Sequence, residues 1–135
     1  MKRRGRVELA REVRARPERV WRIVSEYRRW SDWGPSVTAV EAPGSRVETG
    51  CRGRVKTAAG PWVPFEITRV EGWSWDWRVL GIDATGHRVE QTPRGSRVVF
   101  SAPRWAFAYA PVLWLALRRI ARLAEALEAE VGQSE

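Results

Sequence analysis

The sequence predicts an α+β fold in which a curved antiparallel sheet of about seven strands surrounds a long C-terminal helix, with two short helices after the first strand. The middle of the chain consists of segments in which apolar and polar residues alternate. Short turns that contain Gly and Pro separate these segments. The last 25 or so residues instead carry apolar side chains at helical spacing. With 135 residues, the chain is expected to form one domain over 1–135.

The N-terminal part predicts one strand followed by the two short helices. Residues 6–15 alternate between apolar and polar side chains, as a half-buried strand does. Pro17 suits the first turn of a helix, where its missing N–H costs nothing. Tyr27–Trp33 predicts a second short helix, which Gly34-Pro35 ends.

The central part predicts an antiparallel meander with one solvent-exposed face. Pro64 lies inside one of its strands, so we expect a bulge there. Gly81–Gly86 is expected to form a turn. The predicted strands are Val37–Glu41, Cys51–Thr57, Trp62–Val70, Trp73–Leu80, His87–Thr92 and Ser96–Ala102.

The last element is predicted to be a helix that begins between Trp105 and Pro111. Its apolar stripe comprises Leu113, Leu117, Ile120, Ala124, Leu127 and Val131. The basic residues Arg118, Arg119 and Arg122 precede the acidic Glu125, Glu128 and Glu130, which is the reverse of the order that the helix dipole favours. The apolar stretch Trp105–Leu117 is too short for a membrane span, which needs about 20 residues.

Composition and charge narrow the function. A single cysteine, Cys51, and a single histidine, His87, exclude a disulfide framework and a Cys/His zinc site. We therefore expect no metal and no cofactor. Much of the net charge of +8 lies in residues 1–30, so nucleic acid is an unlikely main partner. No apolar signal segment follows the basic N-terminus, which predicts a cytoplasmic protein.

Several segments resemble the START-related superfamily, which includes birch pollen allergens and polyketide cyclase/dehydrase-like proteins. The segments are 15–21 (ARPERVW), 29–37 (RWSDWGPSV), 63–71 (VPFEITRVE) and 85–89 (TGHRV). The resemblance covers essentially the whole chain and implies the helix-grip fold. It also implies a large apolar cavity between the sheet and the C-terminal helix, which relatives use for lipids, polyketides, hormones or quinones. Some relatives are aromatase/cyclases.

The strand phases and this resemblance give the candidate site residues. A dense aromatic core would satisfy the same pattern as a lined pocket, although each of the nine Trp also needs a partner for its N–H. The candidate ligand-binding residues are Trp33, Val55, Phe65, Ile67, Trp75, Trp77, His87, Val89, Phe100, Tyr109, Leu113 and Leu117.

A few polar residues are the only candidates for chemistry. His87 shares its strand phase with Val89, so it is expected to face the cavity, where it either contacts ligand or bonds to a neighbouring backbone group. His87 and Tyr109 are the only weak catalytic candidates. Arg11, Arg69 and Gln91 are polar pocket candidates, although for each Arg a position at a strand end, with the side chain reaching solvent, is the favoured interpretation.

The function predicted is binding or carriage of a hydrophobic small molecule. One alternative is a polyketide cyclase or aromatase, with His87 or Tyr109 moving protons. Another is a basic adaptor that binds RNA, anionic lipid or a protein through residues 1–30. The oligomeric state, monomer or homodimer, stays open.

Overall fold

A computed structural model describes residues 5–134 and has the predicted α+β architecture. Its strands and helices follow the expected order, and a short 3-10 helix precedes each of the last two α-helices. The elements are β1 (Arg6–Val13), α1 (Pro17–Ser25), a 3-10 helix (Tyr27–Arg29), α2 (Trp30–Trp33), β2 (Val37–Glu41), β3 (Arg52–Thr57), β4 (Trp62–Glu71), β5 (Ser74–Val79), β6 (Ile82–Thr92), β7 (Gly95–Pro103), a second 3-10 helix (Arg104–Tyr109) and α3 (Ala110–Ser134).

The seven strands form one antiparallel sheet in the order β1-β7-β6-β5-β4-β3-β2. β1 and β2 are therefore the two edges, and the α1–α2 segment connects them across the sheet. α3 packs against α1 and β1. The predicted helix-grip architecture, a curved sheet closed by a long C-terminal helix, is confirmed.

The hydrophobic core lies between the concave face of the sheet and the helices. Leu117, Ile120 and Ala124 from the predicted stripe of α3 are fully buried. They meet inward-facing strand residues such as Ile67 and Val98, which are also fully buried. This segregation is what an amphipathic helix over a half-exposed sheet requires.

Two local predictions about the strands are wrong. The β3–β4 ladder passes Pro64 without a register shift, and the shift lies instead between Ile67 and Arg69 in the β4–β5 ladder. The turn predicted over Gly81–Gly86 is limited to Leu80 and Gly81, because β6 begins at Ile82. A second register shift, where β6 passes β5 beyond Asp76, breaks the alternation that would have marked this segment as a strand.

The basic N-terminal segment is only partly described. Met1–Arg4 lie outside the described residues. Within residues 5–30, Arg16 and Arg19 pair with Glu128 at 2.9 and 2.8 Å. Arg28 and Arg29 pair with acidic neighbours on their own segment. Over residues 5–134, no helix has the length and apolar character needed to cross a membrane.

Candidate functional site

A cavity of about 410 Å³ lies between the concave face of the sheet and the N-terminal part of α3. α2 and the residues after it form one wall, and the β5–β6 hairpin forms another. The second 3-10 helix lies at its edge. Its lining is mostly apolar and comprises Trp30, Trp33, Gly34, Pro35, Ser36, Val37, Trp75, Trp77, Val79, Leu80, Ile82, Asp83, Ala84, Thr85, His87, Phe100, Ala102, Pro103, Trp105, Ala106, Tyr109, Val112, Leu113 and Ala116.

Stacked aromatic rings form the floor of the cavity. The Trp75 ring lies parallel to Trp30, with centroids 5.0 Å apart, and stacks on His87 at 3.8 Å. Phe100 contacts His87 edge-on at 4.8 Å and Trp33 at 5.7 Å. The Trp75 indole N–H is buried with no hydrogen-bond acceptor among residues 5–134. These rings cover one another's faces, and Trp30, Trp75 and Phe100 are at most 2% exposed, so the floor is a tightly packed aromatic layer.

His87 is held neutral and in one tautomer by its neighbours. Nδ1 lies 3.3 Å from the Trp75 carbonyl oxygen, which can only accept, so Nδ1 carries the proton. Nε2 therefore accepts the Thr85 hydroxyl proton at 2.9 Å, and that hydroxyl accepts the Trp77 indole N–H at 3.0 Å. Burial away from water lowers the pKa of His87 from 6.5 to about 3. Both ring nitrogens are consequently occupied.

The predicted ligand-binding residues separate into two groups. The first group lines the cavity and comprises Trp33, Trp75, Trp77, His87, Phe100, Tyr109, Leu113. The second group packs in the core without lining the cavity and comprises Val55, Phe65, Ile67, Val89, Leu117. The two expectations for the aromatic set, a pocket and a packed core, both hold in part, because Trp75 and Phe100 belong to the cavity and the core at once.

The polar pocket candidates lie away from this cavity. Arg11 and Gln91 are exposed, and Gln91 lies near the β6–β7 hairpin. The predicted inward phase of Arg69 is not observed, because the register shift after Ile67 turns it to the convex face. There its Nε donates to an Asp76 carboxylate oxygen at 2.7 Å. Tyr109 is at the cavity rim, 61% exposed.

Sequence reasoning missed several residues that line the cavity. Trp30 lies on a helix of four residues, too short for any periodicity to show which side it buries. Thr85 shares the strand phase of His87, and that signal was present, but a turn was expected there. Leu80, Ile82 and Trp105 are apolar residues that no predicted core required, which is itself a signal of a binding surface.

No group of three or more His, Cys, Asp or Glu side chains suitable for a metal ion occurs within residues 5–134. The one carboxylate among the lining residues, Asp83, accepts a hydrogen bond from Arg78 at 3.2 Å. The cavity therefore offers hydroxyl and aromatic groups rather than a set of ionised ligands.

Solved structures with this fold come from several bacteria. A Nitrosomonas europaea protein superposes with a TM-score of 0.72 at 15% identity, covering 96% of this chain and 99% of its own. A Mesorhizobium loti protein gives 0.70 at 16%, covering 87% and 95%. The XoxI protein of Bacillus cereus gives 0.71 at 13%, covering 92% and 98%. At these identities the likeness shows the fold alone.

The amino-acid sequence itself matches a protein family over nearly its whole length. No curated protein matches the chain significantly. The model of the family described as "polyketide cyclase / dehydrase and lipid transport" matches residues 4–133. The match extends from before β1 to the last turn of α3, the same elements that enclose the cavity. The chain therefore belongs to the polyketide cyclase/dehydrase and lipid transport family.

Proposed function

We propose that the protein binds and carries a hydrophobic small molecule in this cavity. The observation that carries the proposal is an apolar cavity of about 410 Å³ in which the Trp77, Thr85 and His87 side chains bond to one another. Cavities of this size hold drug-sized ligands. The mostly apolar lining, with accessible aromatic side chains such as Trp77 and Trp105, favours a hydrophobic ligand such as a polycyclic or isoprenoid compound.

Hydrophobic burial alone supports useful affinity. A ligand that buries about 300 Å² of apolar surface gains roughly 7 kcal/mol before the cost of association, at about 25 cal/mol per Å². No strong polar contact is needed for binding in the micromolar range. An apolar carrier also releases its cargo readily, because no buried ion pair has to be broken.

The geometry supports carriage better than proton transfer. A general base needs a free lone pair, but the Nε2 lone pair of His87 accepts the Thr85 hydroxyl proton. Tyr109 is largely exposed at the rim, away from the floor. No specific observation favours the cyclase alternative, and the pairing of Arg16 and Arg19 with Glu128 weakens the adaptor alternative.

The test is a titration with a fluorescent apolar probe, an anilinonaphthalene compound, read by the probe's own emission. Leu113 lines the cavity from α3, whereas Leu127 is equally half-buried on the same stripe and does not line it. Leu113→Trp should reduce probe affinity at least about tenfold, and the matched control Leu127→Trp should leave it unchanged. No saturable binding, or equal loss in both variants, would contradict the proposal. Native mass spectrometry of the purified protein would identify a bound natural ligand by its mass.

A further inference from the structure

We propose that the open end of the cavity docks onto the surface of a bilayer that contains anionic phospholipid. This proposal goes beyond ligand carriage and does not depend on it. It concerns the outside of the cavity mouth, a surface different from the basic residues 1–30.

An exposed apolar patch surrounds the mouth of the cavity. We define the mouth patch as Leu80, Ile82, Trp105 and Tyr109, which all line the cavity and are 56–68% exposed. Trp114 and Leu115 follow on α3, at 47% and 39%. Scattered exposed apolar residues are ordinary, but a cluster around one opening marks an interaction surface.

Leu80 lies in a hairpin turn whose backbone conformation is unfavourable for leucine. Val79 pairs with Ile82, so Leu80 and Gly81 form a two-residue turn, with φ of 56° and 73°. Such a turn favours Asn-Gly, because both positions need positive φ. Leu80 is the only residue other than glycine with positive φ within residues 5–134. Its side chain is 60% exposed, so packing within the described residues does little to offset this unfavourable backbone conformation.

The types of residue in the patch suit a bilayer surface rather than a dry protein interface. Trp105, Tyr109 and Trp114 combine large apolar rings with a polar N–H or O–H. Trp and Tyr with these properties are enriched at the boundary between lipid tails and headgroups. Leu80 and Ile82 are aliphatic and suit the apolar side of that boundary.

Basic residues lie where the headgroup phosphates would be. Trp114, Arg118 and Arg122 follow at intervals of four on α3 and are exposed, so they share its solvent face. At a rise of 1.5 Å per residue, the two arginines stand about 6 and 12 Å along the helix from Trp114. Neither of them, nor exposed Arg104 beside Trp105, forms an ion pair within residues 5–134. Three guanidinium groups beside an apolar patch complement an anionic surface.

Docking also explains the reversed charge order of α3. Arginines in the first half of a helix and carboxylates in the second half oppose the helix dipole. The acidic half has a use within the chain, because Glu128 pairs with Arg16 and Arg19 and Glu125 accepts the Arg14 backbone N–H. The basic half, Arg118 and Arg122, makes no comparable contact in the described residues, so its placement fits an external anionic partner.

The test is flotation of the full-length protein with vesicles of phosphatidylcholine containing about 30% phosphatidylglycerol, compared with phosphatidylcholine alone. We expect at least about tenfold stronger partition onto the anionic vesicles. Leu80→Asn should reduce partition at least about threefold without lowering the melting temperature, since Asn suits a positive φ. A structural role for Leu80 would lower both.

Two charge-reversal variants distinguish binding through the basic face of α3 from attraction by the net charge of the protein. Arg118→Glu should reduce binding to anionic vesicles at least about fivefold. Arg94→Glu makes the same change at an exposed arginine in the β6–β7 hairpin, at the opposite end of β6, and should have little effect. Equal losses in these two variants would overturn the proposal in favour of nonspecific attraction.

Two further outcomes keep the proposal distinct from ligand carriage and self-association. The cavity-filled Leu113→Trp variant should float as the wild type does. If it does not, the vesicles act through the cavity and the docking proposal fails. No flotation of the wild type, or a dimer on size-exclusion chromatography that Leu80→Asn dissociates, would equally overturn it, the latter assigning the patch to a second copy.

Discussion

The buried His87 predicts that acid destabilises the protein well above the pH range in which carboxylates titrate. In the native state burial lowers the pKa of His87 from 6.5 to about 3. The unfolded chain, where the ring is hydrated, takes up a proton near the ordinary value. Between these two pKa values only the unfolded state binds the proton. The stability that the neutral His87 ring contributes is therefore fully present above about pH 7. It is lost progressively as the pH falls below 6.5 towards 3.

The size of the effect follows from one proton. A difference of one bound proton changes the free energy of unfolding by about 1.4 kcal/mol per pH unit. At about pH 5, roughly one and a half units below the unfolded pKa, the loss from His87 is about 2 kcal/mol. The hydrogen bonds of Thr85 and Trp75 to the neutral ring fix this state.

Urea unfolding monitored by Trp emission, at about pH 7.5 and about pH 5, measures the effect. His87 is the only histidine in the chain, so His87→Gln removes the imidazole titration entirely while leaving every carboxylate in place. The wild type should lose about 2 kcal/mol more than the variant. Equal losses in the free energy of unfolding would refute the reasoning that the ring is shielded from water and neutral. An NMR titration of the His87 ring with a pKa near 6.5 would refute it as well.

Three further predictions concern the fold. A chain that ends at Ala110 lacks α3 and exposes the concave face, so it should not unfold cooperatively; a soluble fragment with a sharp urea transition would contradict this. Thr85→Val leaves a nitrogen of His87 without its donor and should lower the free energy of unfolding by about 1–3 kcal/mol in the same assay. Gly95→Ala should cost more than about 1 kcal/mol, because its Cβ would lie 2.6 Å from a carbonyl oxygen of β1. Gly60→Ala, also at positive φ but in open space, is the control for the backbone contribution and should be milder by calorimetry.

Simple periodicity was enough to predict the architecture. Trp75 and Trp77 alternate with polar residues on β5, and Leu117, Ile120 and Ala124 repeat at helical spacing on α3. Both patterns reflect burial on one side of an element, and burial is what the sequence records most directly. The strand order then followed from short turns.

The candidate site was harder to predict from the sequence than the fold, because it depends on positions where the strands depart from regular alternation. A single register shift moved Arg69 to the convex face, and residues before that shift give no sign of it. Whether an inward residue lines the cavity or packs only in the core depends on what lies opposite: half-buried Trp77 reaches the cavity, whereas Phe65 is enclosed by Trp30 and Tyr27. Elements that are far apart in the sequence pack opposite each residue and determine whether it lines the cavity or packs in the core.

The two halves of α3 differ in how firmly they are attached to the rest of the domain. Its second half is anchored, since Ala124 is fully buried and Glu128 binds two arginines near the start of α1. Its first turn, with Val112 and Leu113 half-buried, lies over the cavity. Lifting that turn exposes the cavity without disturbing the anchored half, so the free energy of opening should be far below that of global unfolding. For the proposed carrier function, loading and release of a ligand would then require movement of this first turn alone, while the rest of the domain stays folded.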